Sequence, residues 1–279
     1  MSKHLNYYRS HTRLALATGL FLLSRLLPPT FRLQHKGKTR VMVFHHLDEP
    51  ERMKKILTVL QTHYHFLSFR DYLAGHKSKD RLNIIIACDD GYRSWYTHGL
   101  PLFRIFGIRP LLFINSDFVE LTGVQAQEFA RQNILTRPEE PLSWGQIHEL
   151  KDAGAEIGGH TRDHANLITC ADDHRRRTIG EDRAILTEKL GTDIRSFAYP
   201  FGLYNAACAA AVQSAGYVYG FTSESGFLED SEGPYYLRRS NLGLRSAFTA
   251  RAVAEGYADL VSELIRWVKT TGRRLCART

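Results

Sequence analysis

Asn83-Ile84-Ile85-Ile86-Ala87-Cys88-Asp89-Asp90-Gly91-Tyr92 is the stretch on which the reading of this chain turns. Three consecutive isoleucines followed by small residues predict a strand buried on both faces, as in a parallel sheet. Two adjacent carboxylates end it. Adjacent carboxylates repel, and burying either is costly without a compensating cation. Gly91 permits a turn and a close backbone approach. By itself the stretch suits two descriptions equally: a strand ending in a solvated Asp-Asp-Gly turn, or a strand that delivers carboxylates to a metal ion.

The rest of the chain decides between them. Short apolar strands are expected at 41–44, 110–115, 155–159, 195–200, 217–222 and 235–242. Helices are expected at 51–64, 94–106, 146–153, 173–190, 205–215 and 248–269. In the last of these Tyr257, Leu260, Val261, Leu264, Ile265 and Val268 take the inward face. Residues 116–142 form a polar excursion with a short helix near 126–133. Strand–helix alternation implies a parallel sheet, and this many units suit a (β/α) barrel. Barrel sites sit at the C-terminal ends of strands. His45-His46, Asp89-Asp90, His160…His164 and Tyr199-Pro200 each follow an apolar strand at that end.

His160 and His164 are four residues apart, so one helical turn would put both on one face. Two solvated histidines are the plainer reading of such a pair alone. Beside a strand-end Asp-Asp pair, two imidazoles and one carboxylate match an open, catalytic metal site. The second carboxylate is then free to act as a base.

Charge is unevenly distributed. The 279 residues hold 37 Lys/Arg against 29 Asp/Glu, a net charge of +8. Eight of the basic residues and none of the acidic ones lie in residues 1–40, which leaves 29 against 29 in the remainder. A basic arm in place of a basic fold argues against nucleic acid. The arm includes Leu14–Leu27, shorter than the ~20 apolar residues of a spanning helix and interrupted by Arg25. It has no small-x-small cleavage site. We therefore divide the chain into an arm, 1–39, and a barrel, 40–279. The arm is expected to lie on an anionic membrane surface, on the cytoplasmic side, with Pro28-Pro29 as a stiff turn before the barrel. A signal anchor facing the periplasm, or a helix packed on its own domain, are the alternatives. Four widely spaced cysteines form no zinc or disulfide pattern and favour a reducing compartment.

Taken together, Ala87-Cys88-Asp89-Asp90-Gly91-Tyr92, His160-Thr161-Arg162-Asp163-His164 and Phe197-Ala198-Tyr199-Pro200-Phe201-Gly202 resemble the three motifs of the polysaccharide deacetylases of carbohydrate esterase family 4, the NodB-homology domain. The resemblance spans about residues 40–245. It implies a distorted (β/α)7 barrel and a metal-dependent carbohydrate deacetylase, a hydrolase of non-peptide C–N bonds. Asp89 would be the general base, and Asp90, His160 and His164 would bind the metal, for which zinc suits the donor set. The Phe201 amide would face the oxyanion, with Pro200 beside it, and Tyr92 and Tyr199 would line the sugar pocket. The implied substrate is an N-acetylated amino-sugar glycan or glycolipid.

Two departures from the family pattern stand out. The arginine that orients the base in many members falls on Ala198, so Arg238 or Arg239 is the candidate to supply its charge. No histidine follows His174, so the C-terminal acid histidine of many members is missing. Phe44-His45-His46-Leu47 resembles the Tyr-His-x-Val strand end of the exopolysaccharide branch, which makes His45 the candidate acid. A catalytically impaired glycan-binding module is the rival reading. A deformylase or O-deacetylase is another.

Overall fold

The strands alternate between two apolar environments, and this alternation builds the fold. Val41, Val43, Ile85 and Ala87 join one buried cluster with Phe113, Ala198 and Phe221, inside a curled sheet. Met42, Phe44, Ile84 and Ile86 point the other way, into a larger cluster shared with the helices. A period of two along each strand, with both faces covered, is the geometry of a barrel wall. The computed structural model describes residues 3–28, 33–135, 139–242 and 246–276, with side chains described between residues 12 and 268.

In chain order, helix α1 (Lys3–Ser24) precedes strand β1 (Thr39–Phe44), α2 (Pro50–His63), β2 (His65–Phe66), α3 (Phe69–Leu73) and β3 (Asn83–Cys88). A π-helical turn, Trp95–Gly99, runs into α4 (Leu100–Phe106), and β4 (Leu111–Ile114) follows. Next come α5 (Gly123–Phe129), α6 (Trp144–Asp152), β5 (Glu156–Gly159), α7 (Asp172–Leu190), β6 (Ser196–Ala198), α8 (Ala206–Ser214) and β7 (Tyr219–Phe221). Strand β8 (Ser240–Asn241), α9 (Ala247–Ala254) and α10 (Tyr257–Cys276) complete the chain.

The sheet order is β7-β6-β5-β4-β3-β1-β8, with β2 beside β3, and every pairing is parallel. The segment from Pro234 to β8 bridges the two edges. Leu237 N–H donates to Gly220 O, and Thr222 N–H donates to Leu237 O, both at 2.8 Å. A few residues later Ser240 and Asn241 pair with Met42 and Val43. This is the distorted seven-unit barrel that the family resemblance implies, although the strand expected over 235–242 is reduced to one bridge and two paired residues.

Buried Arg40 anchors that seam. Its guanidinium donates to Ser240 Oγ, Ala254 O and Asp259 Oδ2 and lies over the Phe227 ring.

Local signals set the element ends. Ser143 forms a reciprocal capping box with Gln146 at the start of α6. Gly107 and Gly191 close α4 and α7 in left-handed conformations. Gly158 and Gly159 end β5 where no side chain fits. A Cβ on Gly158 would lie 2.7 Å from the Phe113 ring, and one on Gly159 2.0 Å from the Tyr217 hydroxyl.

Helix α1 lies along α9 and α10. Phe21 meets the Tyr257 ring edge-on, and the Tyr257 hydroxyl donates to Ser24 Oγ. Pro29 of the expected stiff turn is outside the described residues.

Candidate metal and catalytic site

The strand that opened the sequence reading ends where expected. After Cys88 the chain turns sharply, with Asp90 at φ 73° and Gly91 at φ 79°. Asp90, His160 and His164 are all buried, and their donor atoms lie within 4.8 Å of one another. Each histidine Nε2 stands 3.5 Å from Asp90 Oδ1.

The histidines arrive on a loop. The expected helical turn over 160–164 does not form, because the chain leaves β5 with Thr161 at φ 66° and His164 at φ 54°. Left-handed conformations cost non-glycine residues about 1–2 kcal/mol each, and here they cluster at one site. Two buried polar groups hold the loop. Asn115 Nδ2 donates to His160 O and Thr161 O. Asp182 on α7 accepts from His160 N–H at 3.0 Å and from Ser116 N–H at 3.1 Å. Burial pushes the Asp182 carboxyl up to about 7 against the pull of those N–H donors.

The remaining hydrogen bonds fix which nitrogen faces inward. His160 Nδ1 donates to Ala198 O at 2.7 Å, and His164 Nδ1 donates to Asn133 O at 3.1 Å. Both rings therefore present Nε2 to Asp90, a second-sphere arrangement common at metal-ligating histidines. Burial drives His164 down to about 4, with repulsion from His160 adding to it, so its Nε2 is an unprotonated lone pair at neutral pH. Among the described residues, Asp90 Oδ1, buried beside it, has no hydrogen-bond partner. Burial alone would raise the Asp90 carboxyl. The neighbouring His160, His164 and His45 imidazoles overcome that and hold it well below the usual carboxylate range. A buried anionic oxygen facing an imidazole lone pair is repulsive without a cation, and one carboxylate with two imidazoles suits a divalent metal with open positions.

Asp89 is buried next to this group. Its Oδ1 accepts from Arg239 Nη1 at 2.7 Å, and its Oδ2 stands 3.9 Å from His45 Nε2. Arg239 is itself buried, donates Nε to Thr222 O and lies over the Phe113 ring. Of the two candidate arginines, Arg239 is the one that pairs with Asp89. Arg238 is not in the site, since it points toward Ser225 O and Glu224.

A cleft of ≈ 430 Å³ opens over these groups, lined by His45, Asp89, Asp90, His160, His164, Tyr199 and Phe201 among others. Pro200 is buried behind Phe201, whose φ is 58° and whose ring packs on His164 with centroids 4.4 Å apart. Tyr199 is a buried wall residue whose hydroxyl donates to Tyr235 O. Tyr92 departs from expectation. It is fully buried, stacked under His46 at 4.3 Å, and does not line the cleft.

Sequence reasoning missed the other supports. His46 lines the cleft and pairs with Glu139 at 2.6 Å, and Glu139 also accepts from Ser94 N–H. Ninety-three residues separate that pair, and no local pattern joins them. The excursion over 116–142 supplies Asn133 O beneath His164 and Ile134 and Leu135 at the cleft.

The parallel barrel thus gathers an Asp-His-His donor set and an arginine-paired carboxylate at its strand ends. Residues 76–220 match the sequence profile of the family described as Polysaccharide deacetylase. YxkH of Bacillus subtilis, assigned by name to the polysaccharide deacetylases, is 20% identical over 219 residues, covering 75% of this chain and 72% of that protein. The Streptococcus pyogenes deacetylase PplD, solved in complex with acetate, has a similar fold. Its TM-score is 0.66 at 17% identity, covering 79% of this chain and 99% of that one. IcaB from Ammonifex degensii gives 0.61 at 21% identity, covering 81% and 99%. The chain belongs to the polysaccharide deacetylase family.

Proposed function

We propose that the chain is a metal-dependent hydrolase that removes an N-acetyl group from an amino sugar of a polysaccharide or lipid-linked glycan. The observation that carries this reading is the convergence of Asp90 Oδ1 with two imidazole Nε2 atoms whose other nitrogens are tied to backbone carbonyls. A divalent cation held there, with zinc the best match to the donors, would polarise the acyl carbonyl and acidify water.

The chain's own residues supply the rest. Asp89 accepts the proton of the attacking water at Oδ2, the oxygen not bonded to Arg239. Arg239 orients that carboxylate and balances its charge. His45, half-exposed across from Asp89, is placed to protonate the departing amine nitrogen. Arg239 beside the base argues against a catalytically impaired glycan-binding module, since the missing motif arginine was one ground for it.

Two experiments test the reading. Metal-stripped protein given one equivalent of Zn²⁺ should release acetate from N-acetylglucosamine oligomers. An Asp90→Ala variant should neither bind the ion nor turn over. No acetate from any amino-sugar oligomer would sink the proposal. His45→Ala should slow amide cleavage by about a hundredfold. It should leave 4-nitrophenyl acetate hydrolysis nearly unchanged, because a phenolate departs without a proton. Equal losses on both substrates would remove His45 from the acid role.

A further inference from the structure

Among the described side chains from residue 12 onward, helix α1 and its end turn both arginines inward and all leucines but Leu14 outward. Arg13 donates to Ser262 Oγ and Arg25 pairs with Glu255, while Leu14, Ala17 and Phe21 are buried against the barrel's last helices. Between residues 12 and 27 every exposed residue is uncharged, and six are leucines, 39% to 82% exposed.

Helix α10 runs antiparallel to α1 and repeats the pattern. Its apolar face is buried at Tyr257, Ala258 and Val261 but continues uncovered through Leu264, Ile265 and Val268. These last three, like Leu260, were expected to face inward; the barrel no longer covers them. Exposed Trp267 lies on the same stretch.

Charge follows the same two segments. Residues 264–279 contain five Lys/Arg and no Asp or Glu, and residues 1–40 contain eight and none. The rest of the chain then carries 24 Lys/Arg against 29 Asp/Glu. The positive net charge thus resides in the terminal segments, whose helices pack together. No described helix is long and apolar enough to cross a membrane.

We infer that α1 and the outer half of α10 form one platform that lies in the headgroup–acyl boundary of an anionic bilayer. A soluble monomer rarely leaves so large an apolar patch bare. Amphipathic helices that lie in the interface combine such a face with basic residues and an interfacial tryptophan. Charge decides between occupants. A second copy of the chain would bring two strongly basic segments together, whereas an anionic surface neutralises them.

The test uses the full chain and vesicles of phosphatidylcholine with or without phosphatidylglycerol. The protein should sediment with the anionic vesicles at low salt, and high salt should weaken binding. Leu16→Glu/Leu23→Glu should weaken it at least about tenfold while leaving hydrolysis of a soluble aryl acetate unchanged. Emission should shift to the blue on binding, and Trp267→Phe should abolish the shift. Failure to bind anionic vesicles at low salt, or equal binding by the leucine variant, would overturn the inference. So would a dimer in sedimentation equilibrium that the leucine variant dissociates, since the platform would then be a self-interface.

Discussion

On the proposed mechanism, Asp89→Asn should lower the rate of acetate release by roughly 10²–10⁴ while Asp90, His160 and His164 still bind added zinc. The substitution keeps the shape of the side chain, and an amide oxygen can still accept from Arg239, which donates to Asp89 Oδ1 at 2.7 Å. It removes only the proton acceptor. The carboxylate proposed to face the metal is Asp90, whose Oδ1 stands 3.5 Å from each histidine. Single-turnover acetate release and metal content measured on one preparation separate the two roles. Near-native turnover would exclude Asp89 as the base. Loss of the ion would make it a ligand.

Arg239→Met acts on stability. Arg239 and Asp89 have side chains 1% and 5% exposed. Removing the guanidinium strands a buried carboxylate, and breaking a buried pair this way costs about 3–5 kcal/mol. The urea midpoint should fall accordingly, with an unchanged slope. The double variant Asp89→Asn/Arg239→Met should regain much of that loss, because no charge is left unpaired, yet stay inactive. If the double variant is as unstable as Arg239→Met, the pair is not what holds Arg239 in place.

The barrel was legible because its strands are short apolar runs and its chemistry follows them. Ile84–Cys88 announced the wall, and Asp89-Asp90 pointed to a site only together with His160 and His164. The path of the second motif was not legible. A four-residue histidine spacing suggests a helix, and nothing in Thr161 or His164 as residue types advertises a left-handed backbone. Tertiary clamps at Asn115 and Asp182 impose it from distant segments. Choosing between Arg238 and Arg239 needed the direction of each side chain across the seam. Tyr92 looked like a pocket residue from its place after Gly91, but the turn carries it under His46. In α10 only Tyr257 and Val261 of the six residues expected inward are buried, and Leu260, Leu264, Ile265 and Val268 are exposed. Where the barrel stops covering the helix cannot be read from periodicity.

Arg239 lies at the seam of the barrel. It sits two residues beyond the Phe221–Leu237 bridge and one before β8, so the arginine that pairs with Asp89, the proposed base, is carried by the stretch that joins the barrel's two edges. That stretch has few ladder bonds, and sparsely bonded segments open locally at lower free energy than the core. Each such opening would draw the guanidinium away from Asp89 while the metal-facing triad stays in place. Mild denaturant should therefore silence turnover before it releases the ion or melts the helices, and amide exchange at Leu237 and Arg239 should track the lost activity.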